Sequence, residues 1–224
     1  MKRHLLIDMG AARMRIVCVG DARLWNEPSA VMTTASERAR LRTGWLCRVR
    51  RVVMAVPFAA NEVEKRVYED ALYSLGMKTV FLSESPMAAA MGAGCKVAEP
   101  KATCVVDIGA RLVHAAIISL AGIAACRSAE RADAADEKWM TERVIELIRG
   151  VIEDCLDKGR FNLVDDLAEK GVVLTGGGAL TAGLAAAVSE ALNCPVRVAD
   201  KPQLAVINGV AQILPVLDCL QKRR

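Results

Sequence analysis

The feature that constrains this chain most is a repeat. Leu6-Ile7-Asp8-Met9-Gly10 and Val105-Val106-Asp107-Ile108-Gly109 agree in residue type at every position. Each is an apolar run that reads as a buried strand and empties into an Asp-x-Gly turn. After the first come a strand from about Arg15 to Val19, a turn at Gly20-Asp21 and a strand from about Ala30 to Met32. After the second come a strand from about His114 to Leu120, a turn at Gly122 and a strand from Ile123. An internal repeat outranks any single motif because it fixes architecture, and this one predicts two similar α/β halves with Asp8 and Asp107 in equivalent places. Two readings of the aspartates follow. In one, two hairpins pinch a phosphate chain and its Mg²⁺, the carboxylates holding the metal directly or through water. In the other, each aspartate caps its own turn. The duplication favours the clamp.

A third glycine turn points the same way. Val172-Val173-Leu174-Thr175 runs into Gly176-Gly177-Gly178 and then into a helical pattern from near Thr181 to near Leu192. Glycines let backbone N–H groups approach an anion closely, and a helix N-terminus adds partial positive charge, so this is a phosphate-site layout. Taken alone, the stretch reads equally well as a tight strand-to-helix turn.

Between the repeats, Val52 to Pro57 is a strand. Asn61 and Glu64 form the capping box of a helix whose shared face is Val63, Val67, Ala71, Leu72 and Leu75, and Gly76 closes it. Thr79 to Leu82 is a strand, and Ser85-Pro86 opens a short alanine-rich helix from Met87 to Met91. A long amphipathic helix follows the second repeat from about Ala134 to Lys158, burying Val144, Leu147, Ile148, Val151, Ile152, Cys155 and Leu156. A strand at Val196 to Val198 and a last helix from about Gln203 to Leu214, interrupted by Pro215, complete the pattern. The arginine-rich run from Thr33 to Arg51 reads as a solvated connecting loop.

Composition sets the outer limits. The 224 residues, 53% apolar and 25% charged, suffice for one large domain or two small ones. A net charge of +4 is too mild to imply a nucleic-acid partner. No apolar run reaches the roughly 18 residues of a membrane span. Met1 to His4 is basic, but the apolar run behind it stops at Asp8, which is not a secretory signal. The eight cysteines stand apart with no Cys-x-x-Cys pair, so they read as buried thiols of a cytosolic protein. The basic tail Gln221-Lys222-Arg223-Arg224 would add about 1 kcal/mol per charge at an anionic membrane, too little to anchor the chain.

The order Asp-x-Gly hairpin, connecting helix, Asp-x-Gly hairpin, Thr-Gly-Gly-Gly-Ala resembles the actin/Hsp70/sugar-kinase ATPase fold. Within it the chain is similar to the MreB family of bacterial cell-shape actins. The residues that carry the resemblance are Asn26-Glu27-Pro28-Ser29, Val53 through Val56-Pro57 to Glu62-Val63-Glu64, Pro86 to Gly94, Val105 to Gly109, Ile118-Ser119-Leu120 and Gly171 to Leu180. The resemblance implies an α/β fold of two duplicated RNase H-like subdomains with mixed sheets and a nucleotide cleft. The first subdomain would take residues 1–98 and the second 99–224, with the helix near 203–219 packing back on the first. It further implies nucleotide binding at Asp8, Gly10, Asp107, Gly109, Gly176, Gly177 and Gly178, metal at Asp8 and Asp107, and ATP with Mg²⁺ as cofactors. The implied partners are the chain itself or a full-length relative, and cell-wall morphogenesis proteins at the inner membrane. The implied location is the cytoplasm, peripheral to that membrane.

The departures from the family pattern carry equal weight. The segments from Met32 to Val52 and from Ser128 to Trp139 are too short for the two small outer subdomains. The family's first phosphate hairpin has hydroxyl residues after its glycine, where this chain reads Gly10-Ala11-Ala12-Arg13-Met14. Its second continues with glycines and threonines, where this chain reads Gly109-Ala110-Arg111-Leu112-Val113. The glutamate that positions water in the family lies just before the proline of the Pro-Met-Ala-Ala-Ala helix, and that position is Ser85. Glu84 is one residue early. Losing a general base costs about 10²–10⁴-fold, and lost phosphate positioning adds to it. No catalytic residue is therefore assigned. Arg13, Arg15 and Arg111 either pair with phosphate as fixed cations or rim a disused pocket. Two functions remain: a reduced, non-hydrolysing scaffold or regulator of the cell-shape cytoskeleton that binds ATP weakly or not at all, or an active filament-forming ATPase.

Overall fold

The structure is a computed structural model, and it describes residues 3–10, 13–19, 23–28, 49–131 and 136–222. The chain falls into two compact units, Met1–Ser85 with Val210–Arg224, and Pro86–Gly209. The cut after Ser85 lies ahead of the 98/99 boundary read from the sequence, and the C-terminal residues from Val210 on group with the first unit.

The first unit holds β1 (Arg3–Met9), β2 (Arg13–Val19), β3 (Arg23–Pro28), β4 (Val49–Val56), α1 (Glu62–Ser74) and β5 (Thr79–Glu84). The sheet order is β3-β2-β1-β4-β5, antiparallel through the opening meander and parallel from β1 to β4 to β5. The third strand is Arg23–Pro28 rather than Ala30 to Met32. Pairing against β2 sets its limits, with Arg13 opposite Pro28, and residues 30–32 lie outside the described ones. Alternation along the strands sends Leu5, Ile7, Met14, Ile16, Cys18, Val52, Met54 and Val56 to one buried face, where Leu72 and Met77 pack on them.

Helix α1 starts as its sequence demands. Asn61 Oδ1 accepts from the Glu64 amide and Glu64 Oε2 accepts from the Asn61 amide, both at 2.9 Å. Gly76 follows the last turn at φ +91°, where a side chain would be strained. The helix rests on the sheet through Leu72 of the expected stripe and through Tyr68, but not through Val63, Val67 or Ala71. Val63 and Val67 are 74% and 62% exposed, and Ala71 is exposed as well. One residue is about 100° of rotation, enough to turn the Val63–Val67–Ala71 stripe off the core once Tyr68 and Leu72 are seated.

The second unit repeats the plan with β6 (Thr103–Ile108), β7 (Leu112–Ser119), β8 (Gly122–Glu130), β9 (Val172–Thr175) and β10 (Val196–Val198) in the order β10-β9-β6-β7-β8. Read from the other edge, this is the first sheet again, with β6 in the place of β1 and β7 in the place of β2. Only residues 131–136 separate β8 from the next helix, too few for a subdomain. That helix is α3 (Glu137–Asp157), capped by Asp136, whose carboxylate accepts from the Trp139 amide at 2.7 Å. Val144, Leu147, Ile148, Val151 and Cys155 of α3 join Val106, Ile108, Ala115 and Leu174 in the core, as their spacing predicts, whereas Leu156 is 38% exposed.

Three local features differ from the sequence reading. A separate helix α4 (Phe161–Lys170) precedes β9. The glycines do not open directly into a helix, because a 3-10 turn, Gly177–Leu180, comes first and α5 (Leu184–Leu192) begins only after Gly183, a left-handed residue at φ +72°. The last helix, α6 (Ala205–Lys222), follows a 3-10 turn at Pro202–Leu204 and runs through Pro215, giving up one amide donor rather than ending there. Between β5 and the second unit, α2 (Ser85–Gly92) buries Pro86, Ala88, Ala89 and Ala90. Cys18, Cys104 and Cys155 are buried.

Candidate functional site

The repeated hairpins have the same register. Asp8 lies opposite Arg15 across β1–β2, and Asp107 lies opposite His114 across β6–β7, a separation of seven positions each time. Residues directly opposite on neighbouring strands share a face, so each aspartate meets the side chain seven positions later. In the first hairpin this is an ion pair: Arg15 Nη1 donates to Asp8 Oδ2 at 3.0 Å, with the two side chains 16% and 8% exposed. Burial pushes the Asp8 carboxyl above the usual carboxylate range, and the Arg15 guanidinium, which pulls it down, offsets that only in part. Gly10 follows at the turn, while Ala11 and Ala12 and the side chain of Arg13 lie outside the described residues.

In the second hairpin the aspartate is met by neutral groups. Asp107, Thr175 and His114 stand in register on β6, β9 and β7, and His114 is in turn opposite Ser128 of β8. The Thr175 hydroxyl, fully buried, donates to Asp107 Oδ1 at 3.0 Å, with the Val106 carbonyl at 3.3 Å as its alternative acceptor. His114 Nδ1 lies 2.6 Å from Ser128 Oγ, and burial pushes the imidazole down to about 4, so it is neutral at pH 7. A polar row thus crosses four strands of the second sheet. Gly109 closes the turn with its amide donating to the Leu112 carbonyl at 2.9 Å, and a Cβ there would sit 2.9 Å from that same oxygen. The hairpin needs this glycine whether or not a phosphate approaches.

The three consecutive glycines are not equivalent. Gly176 has φ +81°, a Cβ on it would fall 2.4 Å from the Ile108 carbonyl, and its amide donates to Pro202. A Cβ on Gly178 would fall 2.2 Å from Ile108 Cγ2. Both glycines therefore let the turn press on the end of β6, the strand that carries Asp107. Gly177 alone opens onto free space. The first amides of the 3-10 turn, those of Gly177 and Gly178, precede its first internal hydrogen bond, from the Ala179 amide to the Gly176 carbonyl at 3.3 Å, and among the described residues no backbone carbonyl accepts from them. The late start of α5 removes the longer helix's dipole from the glycines, leaving the anion-facing part of this turn to those two amides.

At the β5–α2 junction, register decides where carboxylates can point. Ser83 is aligned with Ala55, which is aligned with Asp8, so Ser83 lies on the Asp8 face. Glu84 follows Val80 and Leu82, which pack on the core face beneath α1, and so it is on the side opposite Asp8. Its charge is felt there by Lys65 of α1, which is held above its usual range chiefly by its hydrogen bond to Glu62. Ser85 then begins α2. At the end of β5 it is Ser83, and not Glu84, that lies on the Asp8 face.

These donors fit Mg²⁺ poorly. One Asp8 oxygen is held by a guanidinium and one Asp107 oxygen by a hydroxyl, and among the described residues no three His, Cys, Asp or Glu side chains are grouped to hold a metal ion. The sequence reading names Arg15 as a cation that pairs with phosphate or rims a disused pocket and gives no role to His114, Ser128 or Thr175, although the places of Arg15 and His114 opposite the aspartates follow from the hairpin itself. A two-residue turn after Asp-x-Gly forces the seventh residue to lie opposite the aspartate.

Two duplicated mixed sheets, each with an Asp-x-Gly hairpin, and a Thr-Gly-Gly-Gly turn pressed on the second define the actin-like ATPase fold. The same fold is seen in MreB5 of Spiroplasma citri bound to AMPPNP (TM-score 0.80, 16% identity, spanning 100% of this chain and 99% of that one). It is also seen in the ethanolamine utilization protein EutJ of Carboxydothermus hydrogenoformans (TM-score 0.59, 18% identity, 92% and 88%). The MreB/Mbl protein family profile matches residues 39–150 and 133–222, and the chain belongs to that family. It is 28% identical over 229 positions to the cell shape-determining protein MreB of Escherichia coli K12, covering 75% of this chain and 66% of that protein. It is 26% identical over 235 positions to the cell shape-determining protein Mbl of Bacillus subtilis 168, covering 78% and 71%. The chain thus spans 66% of the length of the Escherichia coli relative it matches.

Proposed function

We propose that this chain is a reduced, non-hydrolysing member of the cell-shape cytoskeleton, a scaffold or regulator with weak or no ATP binding that works through protein contacts. The observation that carries the reading is the β5–α2 junction. Glu84 is on the α1 side of the sheet and Ser83 and Ser85 flank it, so among the described residues β5 and the start of α2 bring no carboxylate to the Asp8 face to position water. The internal partners of Asp8 and Asp107 support the same reading for the metal. The two units would be the first and second actin-like subdomains, and the chain would act in the cytoplasm, peripheral to the inner membrane. Among the described residues no helix is long and apolar enough to cross a membrane.

The exposed Val63–Val67–Ala71 stripe of α1 supports the choice of partner. Three apolar side chains one turn apart, turned away from their own core, suit another protein surface, and the partner proposed is a second copy or a full-length relative. The test is phosphate release from ATP and Mg²⁺ by the purified chain, run beside a full-length relative, with sedimentation of the two together. No turnover and co-sedimentation are expected; turnover at the relative's rate would refute the reading.

One observation favours an active ATPase instead. Gly177 is open, among the described residues no backbone carbonyl accepts from its amide or that of Gly178, and the similar MreB5 of Spiroplasma citri is seen with AMPPNP and with ADP. The same assay separates the two.

A further inference from the structure

The turn between β7 and β8 is made of residues that do not suit its shape. Ser119 pairs with Gly122, so Leu120 and Ala121 form a two-residue hairpin loop, and both stand at positive φ, +51° and +56°. Such a loop is ordinarily Asn-Gly, because most residues with a Cβ are strained in that region. Three hydrogen bonds hold it against the segment ahead of β6. The Leu120 amide donates to the Glu99 carbonyl at 3.0 Å, the Ala121 amide to the Val97 carbonyl at 2.7 Å and the Ser119 hydroxyl to the Pro100 carbonyl at 2.6 Å. These bonds keep the shape, but they use backbone and a serine, and any residue at position 120 could make its share of them. The leucine itself is 70% exposed. A strained position kept by its surroundings and occupied by an apolar side chain left in water points to a role outside the fold.

Leu120 lines a groove of about 460 Å³ with Ile123, Ala124, Arg160, Phe161 and Leu163, and Phe161, the first residue of α4, is 60% exposed. Two large apolar residues exposed at one concave apolar surface suit a second surface seated on them. The charge of the groove selects its kind. Among the described residues that line it, Arg160 is the one that is charged, and its Nη1 is fixed by donating to the Ala124 carbonyl at 2.7 Å. Arg160 also stands at the N-cap of α4, where no side chain caps the helix, so the partial positive charge of a helix start adds to the guanidinium. We propose that this groove docks an acidic, amphipathic helix of another protein, which sets a large apolar side chain against Leu120 and Phe161 and a carboxylate on Arg160. This goes beyond the contact proposed for α1: it lies in the second unit, takes a different class of partner, and does not depend on whether ATP is bound or hydrolysed.

The experiment selects random dodecapeptides displayed on phage against the full chain, after depletion on the double variant Leu120→Asn with Ala121→Gly. That variant supplies the residues the turn prefers and is expected to be at least as stable as wild type in urea, so depletion removes every peptide that does not need Leu120. The surviving peptides are expected to carry an Asp or Glu within one helical turn of a large apolar residue. Measured by fluorescence polarisation, such a peptide should bind the double variant and Phe161→Ser about tenfold or more weakly than wild type. Raising salt from about 0.05 to about 0.5 M should weaken wild-type binding about threefold or more. Arg160→Glu should lose the peptide and regain affinity for one in which Lys replaces the acidic residue; should Arg160→Glu fail to fold, as judged by its circular dichroism, the salt dependence and the Leu120 variant still decide. No peptide surviving depletion, or survivors without an acidic residue, overturns the proposal. Self-association of the chain that Phe161→Ser abolishes would give the face to a second copy, and pelleting with phosphatidylglycerol vesicles that Phe161→Ser abolishes would give it to a lipid surface; either result overturns the proposal as well.

Discussion

Replacing the three consecutive glycines one at a time by alanine separates packing from binding. At Gly176 an alanine meets two obstacles. Its φ of +81° with ψ of 173° is a region essentially restricted to glycine, worth about 1–3 kcal/mol of strain. Its Cβ would also lie 2.4 Å from the Ile108 carbonyl, a backbone atom that cannot move without disturbing β6. At Gly178 the obstacle is Ile108 Cγ2 at 2.2 Å; that side chain is fully buried in the unit's core, and overpacking there costs about 1–3 kcal/mol. At Gly177 a Cβ meets nothing, and in a 3-10 turn an alanine lowers the entropy of the unfolded chain, so the change is about neutral. The expected order of stability is therefore Gly177→Ala near wild type, then Gly178→Ala, then Gly176→Ala, with about 2 kcal/mol or more between the first and the last.

The assay is urea unfolding followed by tryptophan fluorescence, since Trp139 packs against the core of the second unit. Equal midpoints for Gly176→Ala and Gly177→Ala, or a loss above about 1 kcal/mol for Gly177→Ala, would refute the assignment of packing roles. Gly177→Ala then becomes the informative variant for ligand binding, because it adds a methyl group at the only open position of the turn without disturbing the fold. A fall in phosphate affinity with unchanged stability identifies the open amides as a binding surface.

Three further outcomes are expected. His114 is neutral and buried, so its stabilisation is complete above about pH 6.5 and is lost as pH falls toward 4; wild type should lose about 2 kcal/mol more than His114→Gln between pH 7 and pH 5 in urea titrations, and parallel curves would count against the buried row. Val63→Glu lies on an exposed face and should change stability by less than about 0.5 kcal/mol while reducing co-sedimentation with a full-length relative; unchanged co-sedimentation would remove α1 from the contact. Asn61→Ala removes the Oδ1 that accepts from the Glu64 amide, leaving the backbone amide of residue 61 to donate to Glu64, and should cost about 1 kcal/mol, read as a lower urea midpoint with the same slope.

The duplication was legible because its signal is carried by residue type at fixed spacing, and strands bounded by Asp-x-Gly turns leave few alternatives. The capping box of α1 was legible for the same reason: Asn61 and Glu64 act on neighbouring backbone and need no tertiary context. What failed to show was whatever depends on a partner surface. The side of α1 that packs is chosen by the sheet beneath it, and two apolar stripes one residue apart look alike until Tyr68 and Leu72 are seated. The sequence reading assigns nothing between Lys158 and Gly171, although Phe161, Leu163, Val164 and Leu167 are spaced for a helix of their own. The start of α5 was set too early because Gly183, at φ +72°, was read as a helical residue.

The two halves share one backbone and have diverged in the row that matters. On the first sheet the in-register residues are Asn26, Arg15, Asp8, Ala55 and Ser83; on the second they are Ser128, His114, Asp107 and Thr175. The aspartates keep their register in both, yet each has gained an answer within its own sheet, a guanidinium in one and a hydroxyl in the other, both at 3.0 Å. The answers differ in kind. The Thr175 hydroxyl brings no charge to Asp107, whereas Arg15 brings a full positive charge to Asp8 at the same distance.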